Sequence, residues 1–168
     1  MNAFERGIVM RASVIGRRFD FRVLLEAAPG TAPDVRTALQ HACNLELIVA
    51  EGTKHETYSF RHALTRDIVY DEFLTHAIRR IHRRVARALE RSPRHATLLE
   101  QLAYHSWVAG DGRRSLKYNE LAGDRAVAVR AFQDARTYYA RARSIVPANA
   151  RAGKRLDRKI AVINADGD

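Results

Sequence analysis

The residues that most resemble catalytic groups are three carboxylates in one short stretch. Asp67, Asp71 and Glu72 fall within a predicted helix, where Asp67 and Asp71 lie one turn apart. Paired carboxylates can act as a general acid and a general base. Arg66 stands beside them, and charged residues at this spacing more simply form a solvated helix face. We therefore expect no catalytic role for this group.

Signatures of metal sites and phosphate-binding loops are missing from the sequence. Cys43 is the one cysteine and the seven histidines are scattered, so no group has the spacing of zinc ligands. In the single Gly-Lys pair, Gly153-Lys154, a phosphate-binding loop would need its first glycine where Ala148 stands. No spacing of Ser, His and Asp indicates a catalytic triad. We predict that this chain is not an enzyme, holds no metal and does not hydrolyse ATP by itself.

Six arginines stand close together near the middle of the chain. They are Arg79, Arg80, Arg83, Arg84, Arg87 and Arg91. Apolar residues between Ile78 and Leu89 step by three and four, which predicts an amphipathic helix with the arginines on its other face. Such a face either is only solvated or contacts nucleic acid, an acidic domain or an ATPase domain of a longer protein. We treat these six arginines as candidates for partner binding.

The length and composition limit the classes of protein to which this chain can belong. The 168 residues suffice for one domain or two small ones, and no apolar run approaches the roughly 20 residues that cross a bilayer. The N-terminal residues carry an acid and lack the apolar core of a signal peptide. A lone cysteine fits a reducing compartment. These features predict a cytoplasmic protein with no membrane partner.

Positive charge is concentrated in the C-terminal third. Lysine and arginine number 29 against 19 aspartates and glutamates, a net charge of +10. Residues 1–62 hold 8 basic and 7 acidic side chains, whereas 113–168 hold 13 and 6. Arginine supplies 25 of the 29 cations. We attribute this excess of arginine over lysine to the base composition of the genome, and dedicated binding of a polyanion is the alternative. If this charge has a partner, we expect that partner on the helical array.

Residues 1–61 predict three helices followed by a hairpin. Apolar spacing predicts helices over 3–15 and 33–44, with a short helix between them that begins after Asp20. The period then becomes two, around a turn at Gly52-Thr53-Lys54, with apolar side chains at Leu45, Leu47, Val49, Tyr58 and Phe60. This order is that of a winged helix. Helix 33–44 is nearly neutral, so DNA reading by it is not favoured.

Residues 62–168 predict a series of helices with one repeat signature. A first helix is expected over 63–74, lined by Leu64, Ile68, Phe73 and Leu74, and the last follows Leu156, Ile160 and Val162. The tetratricopeptide pattern, small residues and an aromatic knob where two helices approach, is matched by Gly123, Ala135, Tyr139, Ala142 and Pro147. A generic antiparallel helical array is the alternative. The last helix has no predicted partner helix, so we expect the region to be truncated at its C-terminal end.

Three blocks of sequence resemble the region after the ATPase domain of STAND-type signalling ATPases. They are YSFRHALTRDIVY at 58–70, VIGRRFD at 14–20 and IHRRVARALE at 81–90. Such regions occur in large LuxR-type transcriptional regulators and in ATPases linked to bacterial cyclases. The resemblance implies a winged helix over 1–61, then tetratricopeptide-like helices over 62–168. The fold class expected is therefore mainly α.

The resemblance also implies a role for one histidine. In related switches a histidine at the end of the winged helix contacts the phosphates of bound ADP, and His62 occupies that place, with Arg61 as a second candidate. An imidazole at a strand-to-helix junction can donate to a phosphate, aided by the helix N-terminus. The alternative is a histidine that caps helix 63–74. The cofactor, ATP or ADP, would belong to the nucleotide-binding domain of a longer parent and not to this chain.

Three functions are compatible with these features. The first is a non-catalytic part of a signalling ATPase, in which a protein partner or small ligand on the helical array biases a nucleotide switch. The second is a small stand-alone winged-helix protein that binds nucleic acid. The third is an independent adaptor without an ATPase parent. The block around His62 and the repeat match favour the first.

Overall fold

A computed structural model describes residues 1–52, 56–72, 75–93, 95–147 and 150–165. The chain is mainly helical and carries a small three-stranded antiparallel sheet. Its contacts divide it into two compact units, Met1–Ala88 and Leu89–Asp168. Within the described ranges, no helix is both long enough and apolar enough to cross a membrane. The mainly helical class predicted from the sequence is confirmed.

The first unit begins with three capped helices, α1 (Ala3–Ile15), α2 (Phe21–Ala27) and α3 (Ala32–Asn44). At α1, the Asn2 side chain accepts from the Glu5 N–H at 2.9 Å, and the Glu5 carboxylate accepts from the Asn2 N–H at 2.8 Å. Asp20 accepts from the N–H of Arg22 at the start of α2. These side-chain caps satisfy N–H groups that have no partner inside the helix. The three predicted helices are confirmed, with α3 starting one residue earlier.

The strands β1 (Arg18–Asp20), β2 (Ile48–Glu51) and β3 (Thr57–Phe60) form a sheet in the order β1-β3-β2. The prediction that the hairpin begins at Leu45 is wrong. Glu46 has a φ of 57° and turns the chain, Leu45 is 56% exposed, and Ile48 is the buried residue that opens the strand. Gly52 follows β2, while Thr53 and Lys54 of the predicted turn lie outside the described residues.

The core of the first unit is formed by apolar stripes of α1, α2 and α3 and by one face of the sheet. Phe19 of β1 lies between two aromatic rings of β3, with centroids 5.8 Å from Tyr58 and 6.0 Å from Phe60. The α3 stripe predicted from the sequence is buried at Val35, Ala38, Leu39 and Ala42. β1 thus contributes to the core although its three residues are too few to show a pattern in the sequence.

Helices α4 (Ala63–Asp71) and α5 (Thr75–Arg91) follow the sheet. α4 packs against α1, and the Arg66 Nε donates to the Ser13 carbonyl at 2.8 Å. The first compact unit therefore extends beyond residue 61, the predicted boundary, and ends within α5. Leu64 and Ile68 were expected to line a packed face, but they are 70% and 57% exposed. Phe73 and Leu74, predicted in the same helix, lie outside the described residues.

The second unit contains a 3-10 turn (His95–Leu98) and helices α6 (Leu99–Val108), α7 (Gly112–Ala128), α8 (Phe132–Arg143) and α9 (Arg151–Ala165). Each helix packs against the next. The expectation that the last helix lacks a partner is wrong, because Leu156 and Ile163 of α9 are buried in a cluster with Tyr139 of α8. Val162, which belongs to the apolar pattern that predicted this helix, is 58% exposed.

Candidate functional site

His62 connects the sheet to a helix. It lies two residues after the end of β3 and directly precedes the first turn of α4, with extended backbone angles of φ −121° and ψ 136°. Its side chain is exposed and makes no capping hydrogen bond to that turn. The alternative role of a capping histidine therefore has no support in the geometry, and the imidazole is available to an external ligand.

Arg61 lies beside His62 in sequence but lines a different surface. Its Nη1 is 3.8 Å from Glu46 Oε2, and its N–H donates to the Leu47 carbonyl at 3.1 Å. Its side chain borders a groove of about 440 Å³ between α3 and the sheet, together with Arg36, Gln40, Cys43, Ile48, Val49, Ala50 and Tyr58. His62 is not among the lining residues, so the structure does not bring the two predicted phosphate-binding residues into one pocket.

The groove carries cationic and polar groups that the sequence analysis did not combine. Arg36 lies with its guanidinium 4.0 Å from the centre of the Phe21 ring, which holds it at the surface of α3. Burial raises the pKa of the Cys43 thiol, so this cysteine stays protonated at neutral pH and is a poor nucleophile. The groove suits an anion better than it suits covalent chemistry.

The six arginines predicted on one helix face are all exposed along α5, opposite a buried stripe that includes Ile81, Val85 and Leu89. Within the described ranges, no ion pair engages Arg79, Arg80, Arg84 or Arg87. Burial lowers the pKa of Arg11 of α1, and the charges of Arg84 and Arg80 lower it further. The effect of these two charges indicates that Arg11 lies close to this face. We call Arg11, Arg79, Arg80, Arg83, Arg84 and Arg87, all in the first unit, the arginine face.

His82 is a buried histidine on the apolar side of α5. Its Nε2 lies 3.1 Å from the Tyr70 hydroxyl, and the ring is fully buried. Burial lowers the pKa of His82 to about 4, and the nearby Arg66 charge acts in the same direction. The ring is therefore neutral at physiological pH and serves packing.

The repeat-defining residues come together between α7 and α8. Gly123, Ala135, Tyr139 and Ala142 are buried, and Pro147 follows α8 at an exposed position. A Cβ on Gly123 would lie 2.4 Å from Cε1 of Tyr139, so the ring occupies the space that a side chain would need. The Tyr139 hydroxyl donates to Asp124 at 2.6 Å. Four of the five positions thus form one packed contact between two helices.

A network of ion pairs joins α7 to α9. Glu120 of α7 accepts from Arg155 at 2.7 and 2.6 Å and lies 3.0 Å from Lys159 Nζ, which also donates to Asp124 at 2.6 Å. These cations lower the pKa of Glu120, with the Arg155 hydrogen bonds as the largest cause. The paired residues are 35 or 39 positions apart, and local spacing in the sequence does not reveal contacts over such separations.

Open cationic surface remains on α9. Arg151, Lys154, Arg155 and Arg158 border a shallow depression of about 580 Å³. Arg155 is already paired with Glu120. Much of the positive charge predicted for the C-terminal third is therefore either neutralised by α7 or spread over solvated helix surface.

The three carboxylates considered as catalytic groups lie on the surface of α4 and just after it. Asp67 pairs with Arg66 at 2.9 Å, and Asp71 and Glu72 are exposed. In the part of the chain that the structure describes, no three His, Cys, Asp or Glu side chains converge as a metal site would require.

Comparison of the chain with models of protein families, with curated proteins and with solved structures finds no match.

Proposed function

We propose that this chain is a non-catalytic regulatory and interaction region of a STAND-type signalling ATPase, either a transcriptional regulator or a cyclase-linked protein. The element order α1-β1-α2-α3-β2-β3 supports a winged helix in the first unit. The strand β1, which the sequence analysis did not predict, pairs with β3 over Arg18–Ser59, Phe19–Tyr58 and Asp20–Thr57. A winged helix has such a strand between its first two helices, so the observed order strengthens the proposal.

The observation that carries the proposal is the exposed side chain of His62 at the N-terminus of α4. The first N–H groups of a helix attract phosphate, and an imidazole beside them adds a hydrogen-bond donor. In the proposed role, His62 contacts the phosphates of ADP held by a nucleotide-binding domain of the parent protein. The nucleotide itself, ATP or ADP, is bound by that domain.

The second unit supplies the input in this proposal. The close approach of Gly123 to the Tyr139 ring, with Ala135 and Ala142 buried beside it, supports a tetratricopeptide-like pair formed by α7 and α8. Arrays of such pairs bind peptides and proteins on their exposed surfaces. A protein partner or small ligand bound there would bias the winged helix between a packed and a released position. We place this activity in the cytoplasm.

The test uses the native gene product, which is purified from its source and whose molecular mass is measured by mass spectrometry. We expect a chain longer than 19.0 kDa that includes a nucleotide-binding domain. In that protein, His62→Ala should weaken ADP binding about tenfold, because a charge-assisted hydrogen bond is lost. His95→Ala, at an exposed histidine of the second unit, is the matched control and should leave ADP affinity unchanged.

Two results would contradict the proposal. A native product of 19.0 kDa that neither contains nor recruits a nucleotide-binding domain would exclude an ATPase parent. Equal ADP affinity of the wild type and the His62→Ala variant would exclude the sensor role of His62.

A further inference from the structure

We propose that the arginine face binds the sugar-phosphate backbone of duplex nucleic acid without regard to base sequence. This inference does not depend on the nucleotide switch. It rests on the charge, spacing and surroundings of residues within Met1–Ala88. The surface is that of α5 and its neighbour Arg11, and not the groove beside α3.

The arginines of this face are spaced closely enough to match the phosphates of a duplex. Arg79, Arg83 and Arg87 form one row at four-residue spacing, and Arg80 and Arg84 form a second row beside it. At 1.5 Å of rise per residue the five guanidinium groups stand along about 12 Å of helix. A duplex carries one phosphate charge per about 1.7 Å of its axis. The five cations are therefore spaced at about one per 2.4 Å of helix, a linear charge density of the same order as that of the duplex.

Among the described residues, no anion pairs with four of these arginines. The only acid on α5 is Glu90, which accepts from Arg114 at 2.9 Å and from the Tyr118 hydroxyl at 2.6 Å. Arg79, Arg80, Arg84 and Arg87 have no ion-pair partner in the described part of the chain. The charges of Arg80 and Arg84 act on Arg11, whose buried Nε has no hydrogen-bond partner among the described residues. A bound polyanion would relieve this repulsion.

The side chains favour phosphate over other partners. Every cation of the arginine face is a guanidinium, which binds phosphate oxygens in a bidentate manner and keeps its charge when desolvated. In the described part of α5, none of the large apolar side chains is exposed. A helix that inserts into a lipid surface or docks in a hydrophobic protein groove presents such side chains. The duplex backbone fits the chemistry that is present.

Base reading is not part of this interaction. The outward face of α3 carries Arg36 against Asp34, and Arg36 packs on Phe21 rather than projecting from the helix. A helix that reads the major groove presents several donors and cations to base edges. We therefore expect similar affinity for duplexes of unrelated sequence.

The experiment is a fluorescence-anisotropy titration of the full chain with two unrelated 24-base-pair duplexes. Contact with four to five phosphates predicts that the Kd rises about 150- to 500-fold between roughly 50 and 200 mM KCl. Replacing Arg79, Arg80, Arg84 and Arg87 by glutamine should weaken binding at least about tenfold at the lower salt and reduce the slope of log K against log salt by about 3 to 4. The four positions are exposed, and circular dichroism checks that the variant remains folded.

Two matched variants separate the arginine face from net charge. Replacing Arg113, Arg125, Lys154 and Arg158 by glutamine removes the same charge from exposed helix surface of the second unit and should change the Kd less than about threefold. Lysine at the four α5 positions keeps the charge and should retain the salt slope. An equal loss of affinity in the two glutamine variants would overturn the proposal.

Other polyanions provide the remaining comparison. A polyglutamate peptide and vesicles containing 30% phosphatidylserine should compete at least tenfold less well than unlabelled duplex. If either competes as well as the duplex, the arginine face binds an acidic protein or a membrane, and the nucleic-acid proposal is wrong.

Discussion

At the scale of single residues, His82 makes the folded state sensitive to acid. Its pKa falls to about 4 in the folded chain, against 6.5 when the ring is solvated, because burial disfavours the charged ring. The unfolded chain binds more protons than the folded chain between these values, so stability rises with pH there. On acidification from pH 6.5 to 4.5, we expect the free energy of unfolding to fall by about 2 to 3 kcal/mol, measured by urea titration at a series of pH values.

The matched variant for this prediction is His82→Gln, which keeps a polar group near the Tyr70 hydroxyl but cannot titrate. Its stability should be nearly constant between pH 6.5 and 4.5, whatever its absolute value. Carboxylates with a lowered pKa, such as Glu5 and Glu120, lose their contribution at lower pH and leave this window largely unaffected. A variant as pH-sensitive as the wild type would assign the effect to another group.

Tyr118 provides a second prediction at this scale. Its hydroxyl donates to Glu90 Oε1 at 2.6 Å, and burial together with this carboxylate raises the pKa of Tyr118 to about 12. Tyr118→Phe removes a hydrogen bond to a charged acceptor and should lower the free energy of unfolding by about 1 to 2 kcal/mol, measured by chemical denaturation. Tyr138→Phe is the control, since the Tyr138 hydroxyl forms no hydrogen bond within the described ranges. A similar loss in both variants would contradict this assignment.

Residues were predictable from the sequence where their role depends on local spacing. The outward direction of the α5 arginines follows from the helical period, and the position of His62 follows from the change of period at Phe60. The pairing of Tyr118 with Glu90 spans 28 positions, and Arg11 meets Arg80 and Arg84 from another helix. Such contacts depend on how helices pack, which one-dimensional spacing does not specify.

At the scale of elements, the contact between α7 and α8 depends on a missing side chain. A Cβ on Gly123 would lie 2.4 Å from Cε1 of Tyr139 and 2.6 Å from its Cδ1. Gly123→Ala should therefore destabilise the chain by about 2 kcal/mol, even though alanine is the better helix former. Thermal or chemical denaturation measures the change, and the double variant Gly123→Ala with Tyr139→Leu should recover part of it.

Gly7 is the matched control, since it also lies inside a helix. There a Cβ would meet only the flexible end of Arg11, at 3.1 Å from Nη1. Gly7→Ala should be neutral or stabilising by up to about 1 kcal/mol, because the unfolded chain loses conformational freedom. If Gly123→Ala were equally harmless, the helices would not approach as closely as described.

Elements with a long period or a side-chain cap were predicted well, and short or register-dependent ones were not. The helix over 3–15 and the cap at Asp20 match the structure. β1 has only three residues and is a strand because β3 supplies its hydrogen bonds. The inward residue of α9 is Ile163 rather than Val162, because packing on α8 sets the rotation of that helix. Tertiary contacts decide such cases.

At the scale of the whole molecule, the chain has two compact units with separate cores. Leu24 is fully buried in the first unit. Leu24→Ala should cost about 2 to 5 kcal/mol, seen as faster amide exchange in residues 1–88 by mass spectrometry. Protection in α7 and α8 of the second unit should remain, because units with their own cores open separately. An equal loss of protection along the entire chain would contradict the division.

The division between the two units falls inside one helix, since α5 runs from Thr75 to Arg91 and the first unit ends at Ala88. Proteases cut exposed, irregular segments in preference to helices. Limited digestion of the folded protein should therefore leave α5 whole and cut first at turns such as Gly110-Asp111. A fragment expressed from residue 89 would keep only the last three residues of α5, which cannot form a helix by themselves, so truncation there is a poor way to isolate the second unit.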